Sequence, residues 1–494
     1  MSRRHALPVA VVVAFTAVAF IPDFFLPGGS DWGAYFLGGY LIDHGQTPYT
    51  DFFVGKTPGI YGYASLWQLV FGSSWYSAKA ALLPLYVAFG VSTYVFSATL
   101  FRARWWSAVA GCVAVFLALT LEYDASRNAS TVVLAAALGL LSLALVYSRD
   151  NAAAAGVLAA LAFLTRQGVI WPFLGAAWYL RRPVRPRAVA RFAAGAAAPL
   201  VLCVAVALVL GIDLHEAYRQ IVTIPRYYNG GRSYQPLGTL PSSLRTELLP
   251  PSLQSPLWLL ALAGLVLVTV RRSWDDAWTF AFTSLVVAAA VVFLSTGPTG
   301  NGNYYWLPYA PWLVVVAVES LRRLVGSLVE LPRAQAAAGA LAVVAVLVVL
   351  IGPHVKTEAI DLHRLVHGGE ASDVAAARIV RSHLRPGDTM FADGTRDWLY
   401  FLAGAKPPTL YYDTLLFGKP TTRAEFDDAM RDFARRRPRV IVDDEWRDTN
   451  PATSPAYRRR YLAWLRRNYR LAGTVPPRGF ERVPSRLYVL RGSG

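Results

Sequence analysis

Charge is scarce in this sequence. Asp, Glu, Lys and Arg make up only 16% of its 494 residues, against about a quarter in ordinary soluble domains. Hydrophobic residues reach 55% and the mean hydropathy is +0.36. That balance excludes a string of soluble domains and points to a multi-pass membrane protein. Cysteine is nearly missing too. The two present, Cys112 and Cys203, fall inside apolar runs, so neither a disulfide framework nor a zinc site is indicated. No Gly-rich nucleotide loop precedes a predicted helix, and no internal repeat of the transporter kind is visible. Acids are the scarcer charges: 31 Asp and Glu against 48 Lys and Arg leave a net charge of +17. Much of that excess borders apolar runs, where basic residues orient a membrane protein. A nucleic-acid partner is therefore not expected.

What is abundant is long apolar runs. Taking stretches of ~17–25 residues as spans, candidates lie at 7–26, 76–100, 106–121, 131–147, 152–165, 168–180, 192–211, 256–270, 277–294, 305–320 and 336–352. The pair 152–165 and 168–180 is short and makes barely two passes. The first run follows Arg3 and Arg4, as in a signal peptide. Pro22, Asp23, Phe24 and Phe25 then stand where a small-residue cleavage site belongs, so it reads as an uncleaved span.

The basic residues set an orientation. With the N-terminus in the cytoplasm, inner loops hold Arg3, Arg4, Arg102, Arg104, Arg149, the cluster from Arg181 to Arg191, Arg271, Arg272, Arg322, Arg323 and Arg333. The opposite short loops hold only Lys56, Arg127 and Arg166. This is the positive-inside pattern. It requires an odd number of spans, about eleven, and places the C-terminal segment outside. The three exceptions sit against the bias, Arg127 in LEYDASRNAS (121–130) and Arg166 in FLTRQGVIW (163–171). Basic groups at membrane depth face protein, cavities or anionic partners, or snorkel to lipid headgroups. An outward cavity holding all three suits a phosphate.

The stretch after the first span, GSDWGAYFLGGYLIDHGQTPYTDFFVGKTPGIY (29–61), carries Asp31, Asp43, Asp51 and Lys56 among aromatics and glycines. A connector needs only a few turn residues, and this one runs to roughly thirty. Gly38–Ile42 is apolar enough to lie on the membrane surface, with Tyr35, Phe36 and Tyr40 as interfacial anchors. Asp31 then sits at the water–lipid boundary, either as the N-cap of a Trp32–Asp43 helix or as a catalytic group. Asp51 and Lys56 either pair and face water or take part in a site.

Further on, 211–256 is a long segment with Arg219, Arg226, Tyr227, Tyr228 and Gly230–Gly231, which reads as an aromatic-bearing flap. In STGPTGNGNYYWLPYAP (295–311), Asn301, Asn303, Tyr304 and Tyr305 either read sugar hydroxyls or form an aromatic belt with a turn. From about His354 the composition turns soluble. Strands are expected at 388–393, 439–443 and 487–490, and helices at 370–384, 422–436 and 457–469. That alternation predicts a small α/β domain over 354–494, following a membrane domain over 1–353 with an external loop at 27–75. The Arg435–Arg437 and Arg458–Arg460 runs read as a solvated face, or as a contact with anionic headgroups or glycans.

The order of these pieces resembles the GT-C membrane glycosyltransferases, in the branch of protein O-mannosyltransferases and aminoarabinose transferases. The resemblance rests on Asp31 after the first span, on Gly45–Gln46–Thr47–Pro48–Tyr49–Thr50–Asp51, and on Lys56–Thr57–Pro58–Gly59–Ile60–Tyr61. The FLTRQ turn with Arg166–Gln167 and NYYWLPYAPWL at 303–313 are similar to two later landmarks. It implies a polytopic α-helical membrane protein with a C-terminal extracytoplasmic α/β domain. It also implies transfer of a sugar, with inversion, from a polyprenyl-phosphate carrier to an envelope glycan, lipid or protein on the external face. The family's loop aspartate, its general base, maps to Asp31; Tyr49, Gln167, Asn303 and Tyr304 become candidate substrate contacts. Family members often carry Glu directly after that aspartate, where this chain has Trp32, so any metal or acceptor contact of the second acid does not carry over.

The residue chemistry points the same way. Displacing a phosphate from an anomeric carbon needs a base for the acceptor proton and cations for the departing phosphate. Asp31 fits the first role, and Lys56, Arg127 and Arg166 the second. Asp51 and Asp124 are candidates to bind the acceptor, orient Lys56 or hold a divalent cation. A transporter or flippase for an anionic or lipid-linked glycan is the other class that intramembrane charges suit.

Overall fold

The computed structural model describes residues 3–25, 30–120, 130–181, 183–224, 254–296, 309–329, 337, 372–393, 396–410, 421–444, 454–477 and 484–492. In chain order the helices are α1 (Arg3–Ala19), α2 (Ile21–Phe25), α3 (Ser30–Asp43), α4 (Gly59–Phe71), α5 (Trp75–Ala80), α6 (Leu82–Phe101), α7 (Arg104–Thr120), α8 (Ser130–Ser148) and α9 (Ala152–Thr165). Then come α10 (Trp171–Gly175), α11 (Pro186–Val209), α12 (Leu214–Tyr218), α13 (Gln254–Val270), α14 (Asp276–Thr296) and α15 (Ala310–Val329). The last part holds α16 (Ser372–Arg381), β1 (Met390–Ala392), α17 (Asp397–Ala403), α18 (Arg423–Arg436), β2 (Val440–Asp443), α19 (Pro455–Asn468), β3 (Tyr469–Val475) and β4 (Ser485–Leu490). These elements fall into two compact units, neither continuous in sequence. The first is 1–22, 82–204 and 232–363; the second is 23–81, 205–231 and 364–494.

Among the described residues, four helices are long and apolar enough to cross a membrane: Arg4–Phe25, Trp75–Phe101, Thr131–Ser148 and Pro186–Val209. Shorter apolar helices cover Arg104–Leu119, Ala152–Thr165, Leu257–Val270 and Asp276–Val291. The run at 168–180 departs from its prediction. It is the single α-turn α10 followed by a 3-10 turn, Ala176–Leu180, about 17 Å of helix against the ~30 Å of a bilayer core. The run at 305–320 is shifted, since α15 continues to Val329 and carries Glu319, Arg322 and Arg323 in its second half. The run at 336–352 lies outside the described residues except for residue 337.

In the first unit α6 packs on α1, α7 and α8, and α15 packs on α7 and α13. Gly90 and Gly111 let α6 and α7 approach until a Cβ on either would meet the other's helix or Val12. The charged loops gather at one end. Arg104 donates to the Arg4 carbonyl at 3.1 Å, and Phe101 packs on Trp278. Asp275 takes Arg323 at 3.1 Å, Asp276 takes Arg181 at 2.5 Å, and the buried Glu319 accepts from both Arg322 and Arg323. The basic residues that the charge bias assigned to one side thus carry local ion pairs as well.

The second unit joins the first-loop segment to the C-terminal α/β part. A four-stranded sheet in the order β1-β2-β4-β3 pairs β1 and β2 in parallel and the other neighbours antiparallel. Phe391 and Ile441 enter a core with Phe426, Phe433, Tyr461 and Leu465 from α18 and α19. On its other side α17 contacts β1, α16 and α3. Two of these elements had no counterpart in the sequence reading. β3 is a polar-faced edge strand, and α17 is only seven residues long, both weak signals.

The supposed loop 27–75 contains two packed helices. Gly38 and Gly39 of α3 sit where a Cβ would run into Tyr61 and the Ala64–Ser65 backbone of α4. Gln68 of α4 donates to the Phe36 carbonyl at 2.7 Å. One expectation is overturned here. Tyr35, Phe36 and Tyr40 are buried in protein, not set in an interface. The outward apolar face belongs to α4, where Leu66, Leu69, Val70 and Phe71 are exposed opposite the buried Ile60, Tyr61, Ala64 and Gln68. Its outward face is apolar where a soluble helix would be polar, and at 13 residues it is too short to cross a bilayer.

Candidate functional site

Asp31 is the second residue of α3, so its carboxylate lies in the first turn, where the helix dipole favours negative charge. It is half-buried, and the Tyr35 hydroxyl one turn on lies 3.5 Å from Oδ2. The next residue fixes its place. Trp32 is fully buried, and its indole donates to the Ala78 carbonyl at 2.7 Å. At the position where the resembling family often has a second acid, this chain therefore has a packing residue. Beside Ala78, the wholly buried Lys79 pairs with the buried Asp23 at 3.6 Å. Nothing in the apolar run 76–100 had singled out that lysine. Trp398 at the start of α17 packs on Trp75 with the rings tilted and their centroids 4.6 Å apart, and Gly33 packs directly against it. The α/β part thus helps hold the helix that carries Asp31.

Lys56 is half-buried on the segment between α3 and α4. Its backbone is gripped by Tyr49, whose hydroxyl donates to the Lys56 carbonyl at 2.9 Å. Tyr49 is buried and has φ 65, a left-handed backbone that costs a tyrosine about 1–2 kcal/mol. The exposed Asp51 closes the same turn, accepting from the Thr47 amide at 2.7 Å. Both residues are engaged in shaping the loop that presents Lys56.

A residue the sequence did not single out ties this loop down. Gln220, fully buried in the π-helical turn Arg219–Thr223, accepts from the Val54 amide at 2.9 Å. It donates to the Tyr49 carbonyl at 2.9 Å and to Glu216 at 2.7 Å. Arg219 then holds Glu216 at 2.7 Å and Glu425, whose carboxylate also completes the capping box with Thr422 at the start of α18. Gln220→Leu removes the partners of the buried Val54 amide and Tyr49 carbonyl, at about 1–3 kcal/mol each. Hydrogen exchange at the Val54 amide should accelerate roughly 10- to 100-fold in that variant. An unchanged rate would show that Gln220 does not hold the loop.

In the first unit, Arg166 is the C-cap of α9 and is buried. Its guanidinium donates to the Thr131 hydroxyl at 3.0 Å. Thr131 is in the first turn of α8, four residues beyond Arg127. Gln167 is half-buried beside it. A buried cation and a helix N-terminus each favour an anion. Asp124, Arg127, Asn303 and Tyr304 lie outside the described residues. Among the described residues no three His, Cys, Asp or Glu side chains are grouped to hold a metal.

A third charged group lies at the carboxyl ends of β1 and β2. Arg458, in the run expected to face solvent, is instead buried. It is bidentate to Asp443 at 2.6 and 3.1 Å and also reaches Asp393 at 3.1 Å. Asp444 accepts from the Ser485 hydroxyl at 2.5 Å and lies 3.7 Å from Arg396. Three arginine codons in a row gave no hint that the first turns inward.

Comparison with solved structures finds the fold of this chain in two other proteins. ArnT from Cupriavidus metallidurans bound to undecaprenyl phosphate matches with a TM-score of 0.53 at 14% identity, over 99% of this chain and 98% of that one. The same protein in the apo state gives 0.52 at 16% identity, over 97% of each. The Archaeoglobus fulgidus oligosaccharyltransferase in the apo form gives 0.53 at 13%, over 90% of this chain and 70% of that one. Both proteins belong to the GT-C superfamily, so the likeness expected from the first-loop motifs is present at the level of fold. No family model matches the sequence, and no curated protein does.

Proposed function

We propose, with the GT-C fold as premise, that this chain transfers a sugar from a polyprenyl-phosphate carrier to an envelope glycan, lipid or protein. Asp31 acts as general base on the acceptor hydroxyl, and the configuration at the anomeric carbon inverts. Lys56, Arg127 and Arg166 neutralise the departing phosphate. The observation that carries the reading is Arg166, a guanidinium buried at the first turn of α8. An anion answers both the cation and the helix dipole there. Support comes from ArnT, a protein of the same fold recorded with undecaprenyl phosphate. The N-terminus is cytoplasmic and the 354–494 part external, following the charge bias.

The test is turnover of a polyprenyl-phosphate sugar by purified protein in vesicles without any ion gradient. Gradient-dependent movement of the lipid-linked sugar without its consumption would favour a flippase. Labelling an engineered Ala463→Cys on exposed α19 in intact cells checks the orientation.

Replacing Lys56 or Arg166 by Gln should weaken donor binding by roughly 1–3 kcal/mol, the scale of a charge-assisted hydrogen bond. Arg166→Lys should recover only part, because an ammonium lacks the planar fork. Donor titrations of the three variants check this, and unchanged affinity in both Gln variants would move the phosphate elsewhere.

A further inference from the structure

The basic runs of the C-terminal part are divided by the fold into spent and unspent arginines. Arg458 is buried in its carboxylate pair, Arg423 and Arg460 share Asp427, and Arg431 pairs with Asp428. The rest collect at one end of the sheet. Arg435–Arg437 close α18, Arg439 leads into β2, Arg466–Arg467 end α19, Arg470 opens β3 and Arg491 follows β4. Hydrogen bonds stitch these pieces together: Tyr469 Oη to the Pro438 carbonyl at 2.7 Å, the Leu490 amide to Arg439 O at 3.1 Å, and Arg491 Nε to Tyr469 O at 2.9 Å. Asp388 lies 3.9 Å from Arg439. None of Arg435, Arg436, Arg437, Arg466, Arg467 or Arg470 forms an ion pair among the described residues, and all six are exposed. Cations at helix C-termini are favoured by the dipole, which accounts for the ends of α18 and α19. It does not account for Arg439, Arg470 and Arg491.

We propose that this arginine-rich end binds an anionic polysaccharide. Half-buried Trp464 lies within it, packed on Phe433 and Tyr469 at 5.3 and 5.2 Å between centroids, an apolar plate for a pyranose face. The arginines supply the partners for carboxylates or phosphates along the polymer. A membrane surface fits less well. The exposed apolar side chains of this unit gather on α4 and along 206–218, whereas the arginine end shows Leu471 alone among the large exposed hydrophobics of the described residues. The opposite end of α18 is held by Arg219 through Glu425, and the 14-residue α18 carries Arg435–Arg437 about 20 Å from that contact.

Binding, not turnover, tests this, so its failure is separate from failure of the transferase reading. The full chain in discs of neutral lipid is titrated with polygalacturonate, with uncharged dextran as control. The parent should bind polygalacturonate in a salt-sensitive way and ignore dextran. Arg435→Gln, Arg436→Gln, Arg467→Gln and Arg470→Gln together should weaken binding about tenfold or more, since each exposed contact adds modestly. The same number of changes at Arg423, Arg431, Arg459 and Arg460 should weaken it less than about threefold. Equal losses in the two variants, or no binding at all, would overturn the proposal. So would binding of phosphatidylglycerol-containing vesicles that polygalacturonate fails to displace.

Discussion

Asp31→Asn is expected to give a protein that folds, inserts and binds donor, yet turns over roughly 10²–10⁴-fold more slowly. Asn matches Asp in size, and the helix start is held chiefly by Trp32 and its bond to Ala78, which the substitution leaves alone. On the proposed mechanism, what disappears is the carboxylate that takes the acceptor proton as the glycosidic bond forms. A purely structural Asp31, favoured by the dipole of α3, would cost about 0.3–1 kcal/mol of stability on replacement and little activity. Single-turnover rates with donor saturated separate the two outcomes. Near-normal transfer would place the base elsewhere, with Asp124 or Asp51 the next to be replaced.

Arg458→Leu should be among the most damaging single changes in the α/β part. It strips the shared cation from Asp393 and Asp443, both almost fully buried, and such a loss costs about 3–5 kcal/mol. Against a total stability of about 5–15 kcal/mol, the strand ends should open and limited proteolysis should cut near them. Arg459→Leu, one residue on and exposed, should stay within about 0.5 kcal/mol of the parent. Adding Asp393→Asn and Asp443→Asn to Arg458→Leu should recover part of the loss, because the stranded charges are then gone. Equal resistance of the Arg458 and Arg459 variants would mean the pair contributes nothing to the fold.

The membrane helices were legible because lipid imposes a length and a composition that a sequence displays openly. The strands β1, β2 and β4 were legible for a related reason, since short β-rich runs between polar helices have few other uses. Gln220 was not legible. A glutamine after a span looks like any polar residue until the loop holding Val54 and Tyr49 is folded around it. Arg458 and Lys79 failed for the opposite reason: their neighbours in sequence promised a solvated run and an apolar span. Tyr35, Phe36 and Tyr40 illustrate a third limit. Aromatic residues near a membrane suit an interface and a core equally well, and only the packing of α3 on α4 and α17 decided for the core.

The unit that carries Asp31 is assembled from three stretches, 23–81, 205–231 and 364–494, with membrane helices threaded between them. That arrangement has a consequence for biosynthesis. A ribosome releases residue 31 long before it reaches Trp398, and contacts this distant in sequence form late. Until residue 398 is made, α3 and α4 have no α17 to lie against, and a chain stopped before then carries this unit incomplete.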